Sequence, residues 1–206
     1  MNTADLPIFD IELGRNVETI LDYFNYYKKT PGDIHEHMDT IYQHALECNH
    51  ITEMGVRGVV TTWAFLLARP KKLISYDAEP CPIDRAKELA PKYGIKYEFK
   101  IADTGDPKTV IEPTDLLFID TWHIYEQLKQ ELTLHADYAR KYIIMHDTTI
   151  FGDVRTGEHF DCYVKPGPEG KGLWPAVSEF LEENPQWQLK DRYMNCCGLT
   201  ILKRIF

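Results

Sequence analysis

The chain has 206 residues, 44% of them hydrophobic and 27% charged, with a formal net charge of −9. That composition suits one globular domain with a full core. It excludes a membrane span, since no apolar run approaches ~20 residues, and it disfavours nucleic acid, whose phosphates need a basic face.

The N-terminus lacks the basic and apolar segments of a secretory signal, and the five cysteines (48, 81, 162, 196, 197) lack metal-ligand spacing. A cytoplasmic protein with reduced thiols is expected.

Residues 1–32 read as an irregular lead holding an aromatic run, Tyr23-Phe24-Asn25-Tyr26-Tyr27, closed by Thr30-Pro31-Gly32. Asp33 is positioned to cap a helix over 34–48, where Ile34, Met38, Ile41, Ala45 and Leu46 recur near a 3–4 period. His35 and His37 lie two apart, on different faces of that helix. Ile51 to Met54 is a short strand, and Gly55 and Gly58 bracket a turn into a helix that stops near Arg69-Pro70. A strand over Leu73–Tyr76 ends at Asp77, a helix over Pro82–Tyr93 ends at Gly94, and a strand over Tyr97–Ala102 ends at Asp103.

Next come two apolar runs, Leu116 to Ile119 and Tyr142 to Met145, separated by one amphipathic helix. Residues 151–172, rich in Gly, Pro and charge, form a segment too long for an ordinary connection and are expected to be a mobile substrate loop. A helix over Leu173–Glu183 precedes strands over Trp187–Tyr193 and Leu199–Arg204, paired as an antiparallel hairpin. Strands alternating with helices predict a doubly wound α/β sheet, mostly parallel.

Two strand ends carry the chemistry. Asp120-Thr121-Trp122-His123 follows the first apolar run and His146-Asp147-Thr148-Thr149 the second. In an open parallel sheet both clusters face the ligand crevice. Asp120 and His123 are the candidate catalytic pair. Trp122 is read as a packing residue or a wall of the acceptor pocket.

The turn Glu53-Met54-Gly55-Val56-Arg57-Gly58 reads as the nucleoside-binding element. Its glycines admit a ligand close to the backbone, and Asp77, about 20 positions on, is placed for ribose hydroxyls. A dinucleotide needs a third glycine, and Glu53 beside the turn would repel phosphate while suiting a cationic, amino-bearing ligand. S-adenosylmethionine fits better than NAD. The expected cofactor contacts are Glu53, Gly55, Val56, Arg57, Gly58, Thr61, Asp77, Ala102, Asp103 and Asp120.

Over about residues 33–204 the chain resembles class I S-adenosylmethionine-dependent methyltransferases, through E-x-G-x-x-G, the strand end at Asp77 and the terminal hairpin. The resemblance implies a seven-stranded sheet with its last strand antiparallel. Within that class, IDTWHIYEQLKQEL and IIMHDTT look like the metal-dependent branch of cephalosporin-hydroxylase-like proteins and macrolide-sugar O-methyltransferases. That branch ends its fourth strand in Asp-x-x-His and its fifth in an acidic-Asp pair. Asp120, His123 and Asp147 match residue by residue, whereas His146 replaces the usual Glu or Asp.

The implied site has Asp120, His146 and Asp147 as ligands to a divalent cation, Mg²⁺ or Mn²⁺, and His123 as general base. The implied function is O-methylation of a small molecule or glycan, with a sugar hydroxyl preferred and a rhamnose-like deoxysugar as the specific expectation. An NAD-dependent oxidoreductase and a non-catalytic cofactor-binding module of a larger glycan-modifying protein remain the alternatives.

Overall fold

In the computed structural model, which describes residues 8–12, 14–152 and 171–206, the described part of the lead carries regular elements where an irregular segment was expected. Strands β1 (Phe9–Asp10) and β2 (Arg15–Asn16) form a small antiparallel pair, and the aromatic run lies inside helix α1 (Ile20–Lys29). A capping box starts that helix. The Thr19 hydroxyl accepts from the Asp22 amide, the Asp22 carboxylate accepts from the Thr19 amide, and Arg15 grips the same carboxylate with two nitrogens. Lys28 and Lys29 in the last turn suit the helix dipole. Tyr23 then stacks on Trp63 at 4.0 Å, so the run serves mainly the core.

The helix expected over 34–48 is a 3₁₀ turn, His35–His37, followed by α2 (Met38–Ala45). Asp33 does not cap it. Ile34 holds the N-cap position without a side-chain bond, while Asp33 reaches Arg57 at 3.4 Å.

Beyond this the expected elements hold. They are β3 (His50–Met54), α3 (Val60–Leu67), β4 (Lys72–Asp77), α4 (Asp84–Leu89), β5 (Lys96–Ile101), β6 (Thr114–Ile119), α5 (Tyr125–His135), β7 (Ala139–His146), α6 (Leu173–Glu183), β8 (Trp187–Tyr193) and β9 (Leu199–Arg204).

The seven long strands form one sheet in the order β5-β4-β3-β6-β7-β9-β8. Strands β3 to β7 are mutually parallel, and β9 runs antiparallel between β7 and β8. The central strand β6 is buried at every position, as a strand covered on both faces must be. One core fills the side of α1 to α4, around Trp63, Phe65 and Phe118. The other lies under α5 and α6, around Leu128, Leu132 and Phe180.

The chain winds outward from β3 through β4 to β5, then returns to lay β6 on the other side of β3. The crevice at that reversal, beyond the carboxyl ends of β3 and β6, is where such sheets take ligands. No helix among the described residues is long and apolar enough to cross a membrane.

The expected substrate loop falls largely on residues 153–170, outside the described residues. Its flanks are joined: Leu173 N–H donates to Phe151 O at 2.8 Å and Trp174 N–H to Gly152 O at 3.1 Å.

Candidate active site

The two sides of the reversal touch through backbone. Gly55, at φ +85°, approaches β6 so closely that a Cβ there would sit 1.8 Å from the Asp120 carbonyl oxygen. Gly58 has no such role, since its Cβ would meet only a Val60 methyl at 3.8 Å. The rest of the turn is held open by left-handed residues, Arg57 (φ 43°) and β-branched Val59 (φ 64°), a conformation that costs such residues energy.

Asp77 organises this turn. Its Oδ2 accepts from the Val56 and Arg57 amides at 2.8 and 3.0 Å, and its Oδ1 from the Glu79 amide at 3.0 Å. Partial burial opposes its charge, but these amides outweigh it and hold the carboxyl below its ordinary value.

Glu53 lies elsewhere than the ligand-facing position expected of it. Its fully buried side chain accepts from Thr61, Thr62 and Ser75 at 2.5–3.0 Å, and it lines neither cavity of the crevice. Strand alternation turns it beneath the turn, opposite its register partner Ser75. Burial pushes its carboxyl up to about 7.

Two cavities meet at Gly55, Arg57 and Asp120. The larger, about 600 Å³, runs from Asp77 past Tyr76 to Ala102, Asp103 and Thr104, with Trp122 and Gln127 on its other side. The smaller, about 280 Å³, is lined by Val56, Gly58, Thr61, Asp33 and His123 among others. Every expected cofactor contact except Glu53 therefore lines one cavity or the other. Trp122 is 59% exposed at the wall of the larger one.

Asp120, His123, His146 and Asp147 converge as expected. His123 Nε2 lies 3.3 Å from Asp120 Oδ1 and 2.9 Å from Asp147 Oδ2, and its ring stacks on Phe151 at 4.6 Å. Burial works against charge on His123, but hydrogen bonds to Asp120 and Asp147 outweigh it and raise the imidazole to about 10. Burial likewise opposes charge on Asp120, yet His146 and His123 hold that carboxyl well below the usual range. Asp147 takes a left-handed backbone, φ 58°.

His146 departs from the resembled pattern, and its bonds define what it offers instead. Nε2 faces two carbonyl oxygens, Asp33 O at 3.0 Å and Cys196 O at 3.2 Å. Carbonyls only accept, so Nε2 carries the proton. Nδ1 is then the lone-pair nitrogen of the neutral ring. It is buried without a hydrogen-bond partner, 3.5 Å from both Asp120 Oδ2 and Asp147 Oδ1.

A lone pair facing two carboxylates requires a positive charge between them, either a proton or a cation. With a proton, burial is outweighed by attraction to Asp120 and the imidazole rises to about 9. For a cation, one ligand atom each from Asp120, His146 and Asp147 lies within 4.8 Å of the others. The donor set of two carboxylate oxygens and one imidazole nitrogen, with that nitrogen's tautomer fixed from behind, fits a divalent metal.

Several residues reach this site through contacts between elements distant in sequence. His37 is buried, donates from Nε2 to Asn195 O at 2.9 Å, and lies edge-on to His146 at 6.0 Å. The turn between β8 and β9, with Cys196 and Cys197 both left-handed, presents the Cys196 carbonyl to His146 and the Cys197 carbonyl to the Thr149 and Ile150 amides. Among the described residues Cys48, Cys81, Cys196 and Cys197 are free thiols.

On α5, Gln127, Glu131 and His135 share one face at four-residue spacing. Glu131 bonds Thr104, Thr121 and Gln127, while His135 bonds the Thr104 carbonyl. A polar row of this kind is indistinguishable in sequence from a solvated helix face.

No protein-family model matches the chain, and no curated protein matches it in sequence. Solved structures do match its shape. An O-methyltransferase from Bacillus cereus, in complex with S-adenosylhomocysteine, is 13% identical, with a TM-score of 0.60 over 90% of this chain and 89% of that one. The O-methyltransferase TomG from Streptomyces achromogenes, involved in tomaymycin synthesis and in complex with S-adenosylmethionine, is 13% identical, with a TM-score of 0.59 over 99% and 94%. The N-methyltransferase NodS from Bradyrhizobium japonicum is 12% identical, with a TM-score of 0.59 over 84% and 96%. Sheet order, terminal strand direction and these matches together give the chain the class I methyltransferase fold.

Proposed function

We infer that the chain is an S-adenosylmethionine-dependent methyltransferase acting on a hydroxyl acceptor. The observation that carries the reading is the position of His123, which lines the smaller cavity with its Nε2 beside both Asp120 and Asp147. The adenosine half of the cofactor fits the larger cavity, with Asp77 for the ribose and Ala102 and Asp103 toward the base. The methionine half fits the smaller one, beside Arg57 and Thr61.

The turn disfavours the NAD alternative. A dinucleotide-binding turn offers free amides to a pyrophosphate, whereas the Val56 and Arg57 amides are already bonded to Asp77.

Methyl transfer is an in-line displacement at a carbon activated by its positive sulfur. The protein's tasks are to align the acceptor and take its proton. His123 is the group within reach of a hydroxyl in the smaller cavity, and Phe151 fixes its ring plane. A divalent cation, Mg²⁺ or Mn²⁺, held by Asp120, His146 and Asp147 would supply Lewis acidity toward a weakly acidic hydroxyl and offset the two carboxylates that otherwise keep His123 charged. An amine acceptor has less need of such a set, which favours oxygen. Among hydroxyls a sugar is preferred, with a rhamnose-like deoxysugar first, on the resemblance to macrolide-sugar O-methyltransferases.

The test is calorimetry with S-adenosylmethionine and NAD, then transfer of labelled methyl to a panel of sugars, phenols and amines with and without EDTA. Saturable S-adenosylmethionine binding with EDTA-sensitive sugar methylation is expected. No such binding sinks the cofactor assignment, and transfer only to amines sinks the hydroxyl assignment.

A further inference from the structure

Glu131 has no part in the chemistry above, yet it is fully buried and bonded only to groups that line the larger cavity. Its Oε1 accepts from the Thr104 hydroxyl and from Gln127 Nε2 at 2.9 Å, and its Oε2 accepts from the Thr121 hydroxyl at 2.8 Å. Thr104 follows β5, Thr121 follows β6, and Gln127 is on the first turns of α5, so one carboxylate ties together three walls of the cavity. His135 reinforces the arrangement by bonding the Thr104 carbonyl at 2.8 Å. Gly105 permits it, since a Cβ there would strike the Gln127 amide at 2.8 Å.

The direction of these bonds has a chemical result. A threonine hydroxyl has one proton, and both Thr104 and Thr121 give theirs to Glu131. What remains for the cavity is their lone pairs. The Gln127 amide is turned with its nitrogen toward Glu131, which leaves its oxygen free of that carboxylate. Asp103, exposed at the same end, adds a further acceptor. Around Glu131 the Thr104, Thr121 and Gln127 side chains, with Asp103, therefore turn acceptor oxygens to this end of the cavity.

We propose that Glu131 is a positioning residue that sets the hydrogen-bonding polarity of the cavity's base end, and thereby selects a purine bearing a 6-amino donor over one bearing a 6-oxo acceptor. The inference rests on the cofactor reading above, in which this end takes the base. A 6-oxo purine would bring an acceptor against acceptors and leave buried groups unpaired, the situation that yields strong discrimination.

In Glu131→Gln the new amide nitrogen donates, so one threonine hydroxyl must reverse and present its proton to the cavity. Calorimetric Kd values for S-adenosylhomocysteine and S-inosylhomocysteine test this. The unmodified protein should prefer the adenosyl compound by about a hundredfold, and E131Q should shrink that ratio by about tenfold or more, partly by gaining affinity for the inosyl compound. A general loosening of the fold would weaken both ligands alike and leave the ratio unchanged, and an unchanged ratio overturns the proposal. Thr121→Val, which keeps Glu131, should reduce the ratio more modestly and serves if E131Q does not fold. An unchanged ratio there overturns the proposal as well. If the unmodified protein binds neither compound, the cofactor assignment falls with it; if it binds and discriminates but the variants discriminate equally, only the role of Glu131 falls.

Discussion

The turn after β3 and the cluster at the ends of β6 and β7 lie side by side, yet they satisfy their polar groups in opposite ways. In the turn, Asp77 is matched by three backbone amides and Glu53 by three hydroxyls, so that region is complete as the chain folds it. In the cluster, two carboxylates share His123, and the His146 Nδ1 lone pair faces both of them with no hydrogen-bond partner. In the function proposed above, the first region receives the cofactor by shape. The second is balanced only when a proton or a cation joins it. Binding and chemistry should therefore be separable by substitution.

The largest effect expected is in the cluster. His123→Ala should lower turnover by about 10²–10⁴-fold, the usual contribution of a general base, with the S-adenosylhomocysteine Kd unchanged within about threefold. Parallel loss of cofactor affinity and folding would make His123 structural and erase the contrast. In the turn, Gly55→Ala should cost about 2–4 kcal/mol, from left-handed strain plus overlap with the Asp120 carbonyl. Denaturant unfolding would read it, alongside loss of cofactor binding. A fully stable, binding-competent G55A would show that the two regions do not meet at that contact.

Glu53 supplies a test of how complete the turn is. Its carboxyl is pushed up to about 7, so between its ordinary value and pH 7 the folded chain holds a proton that the unfolded chain has released. Its contribution is present at low pH and lost as pH rises through 7, by about 3 kcal/mol. Between pH 5 and pH 8 stability should fall by about 2.5 kcal/mol more in the native sequence than in Glu53→Gln, since part of the loss precedes pH 5. Equal slopes would mean that Glu53 ionises freely in its buried site.

In the cluster again, His146→Gln should weaken Mn²⁺ binding, read by electron paramagnetic resonance, by about 10–100-fold. Unaltered Mn²⁺ affinity would remove His146 from the ligand set. The smallest effect belongs to Gly58→Ala, expected within about 0.5 kcal/mol and without change in cofactor affinity. A larger loss would restore Gly58 to the role first read from its spacing.

Legibility in the sequence divides along the same line. The strand ends carrying Asp77, Asp103, Asp120 and Asp147 were legible because buried parallel strands are continuous apolar runs and their termini are where polarity returns. Helix α1 was not, because Tyr-Phe-Asn-Tyr-Tyr has the composition of a strand, although Thr19-x-x-Asp22 with Arg15 nearby carried the helix-start signal. Asp33 was read as a cap on local grounds, whereas a residue distant in sequence, Arg57, holds it. Glu53 and Glu131 were misjudged or passed over because sequence does not tell which face of an element a carboxylate turns to. The tautomer of His146 depends on the Asp33 and Cys196 carbonyls, brought from 113 and 50 positions away.

The place of β9 in the sheet has a consequence for biosynthesis. It follows β8 in the chain, yet it inserts between β7 and β8. Until it emerges from the ribosome, β7 is an open edge carrying Tyr142 to Met145, and nothing presents the Cys196 carbonyl to His146. A nascent chain lacking residues 199–204 would thus hold the glycine turn, both aspartates and the Asp33 carbonyl, but would lack β9 on β7 and the Cys196 carbonyl at His146. It would expose an apolar edge of the kind that recruits other strands. The strands that border the crevice are thus translated before the strand that covers this side of the sheet.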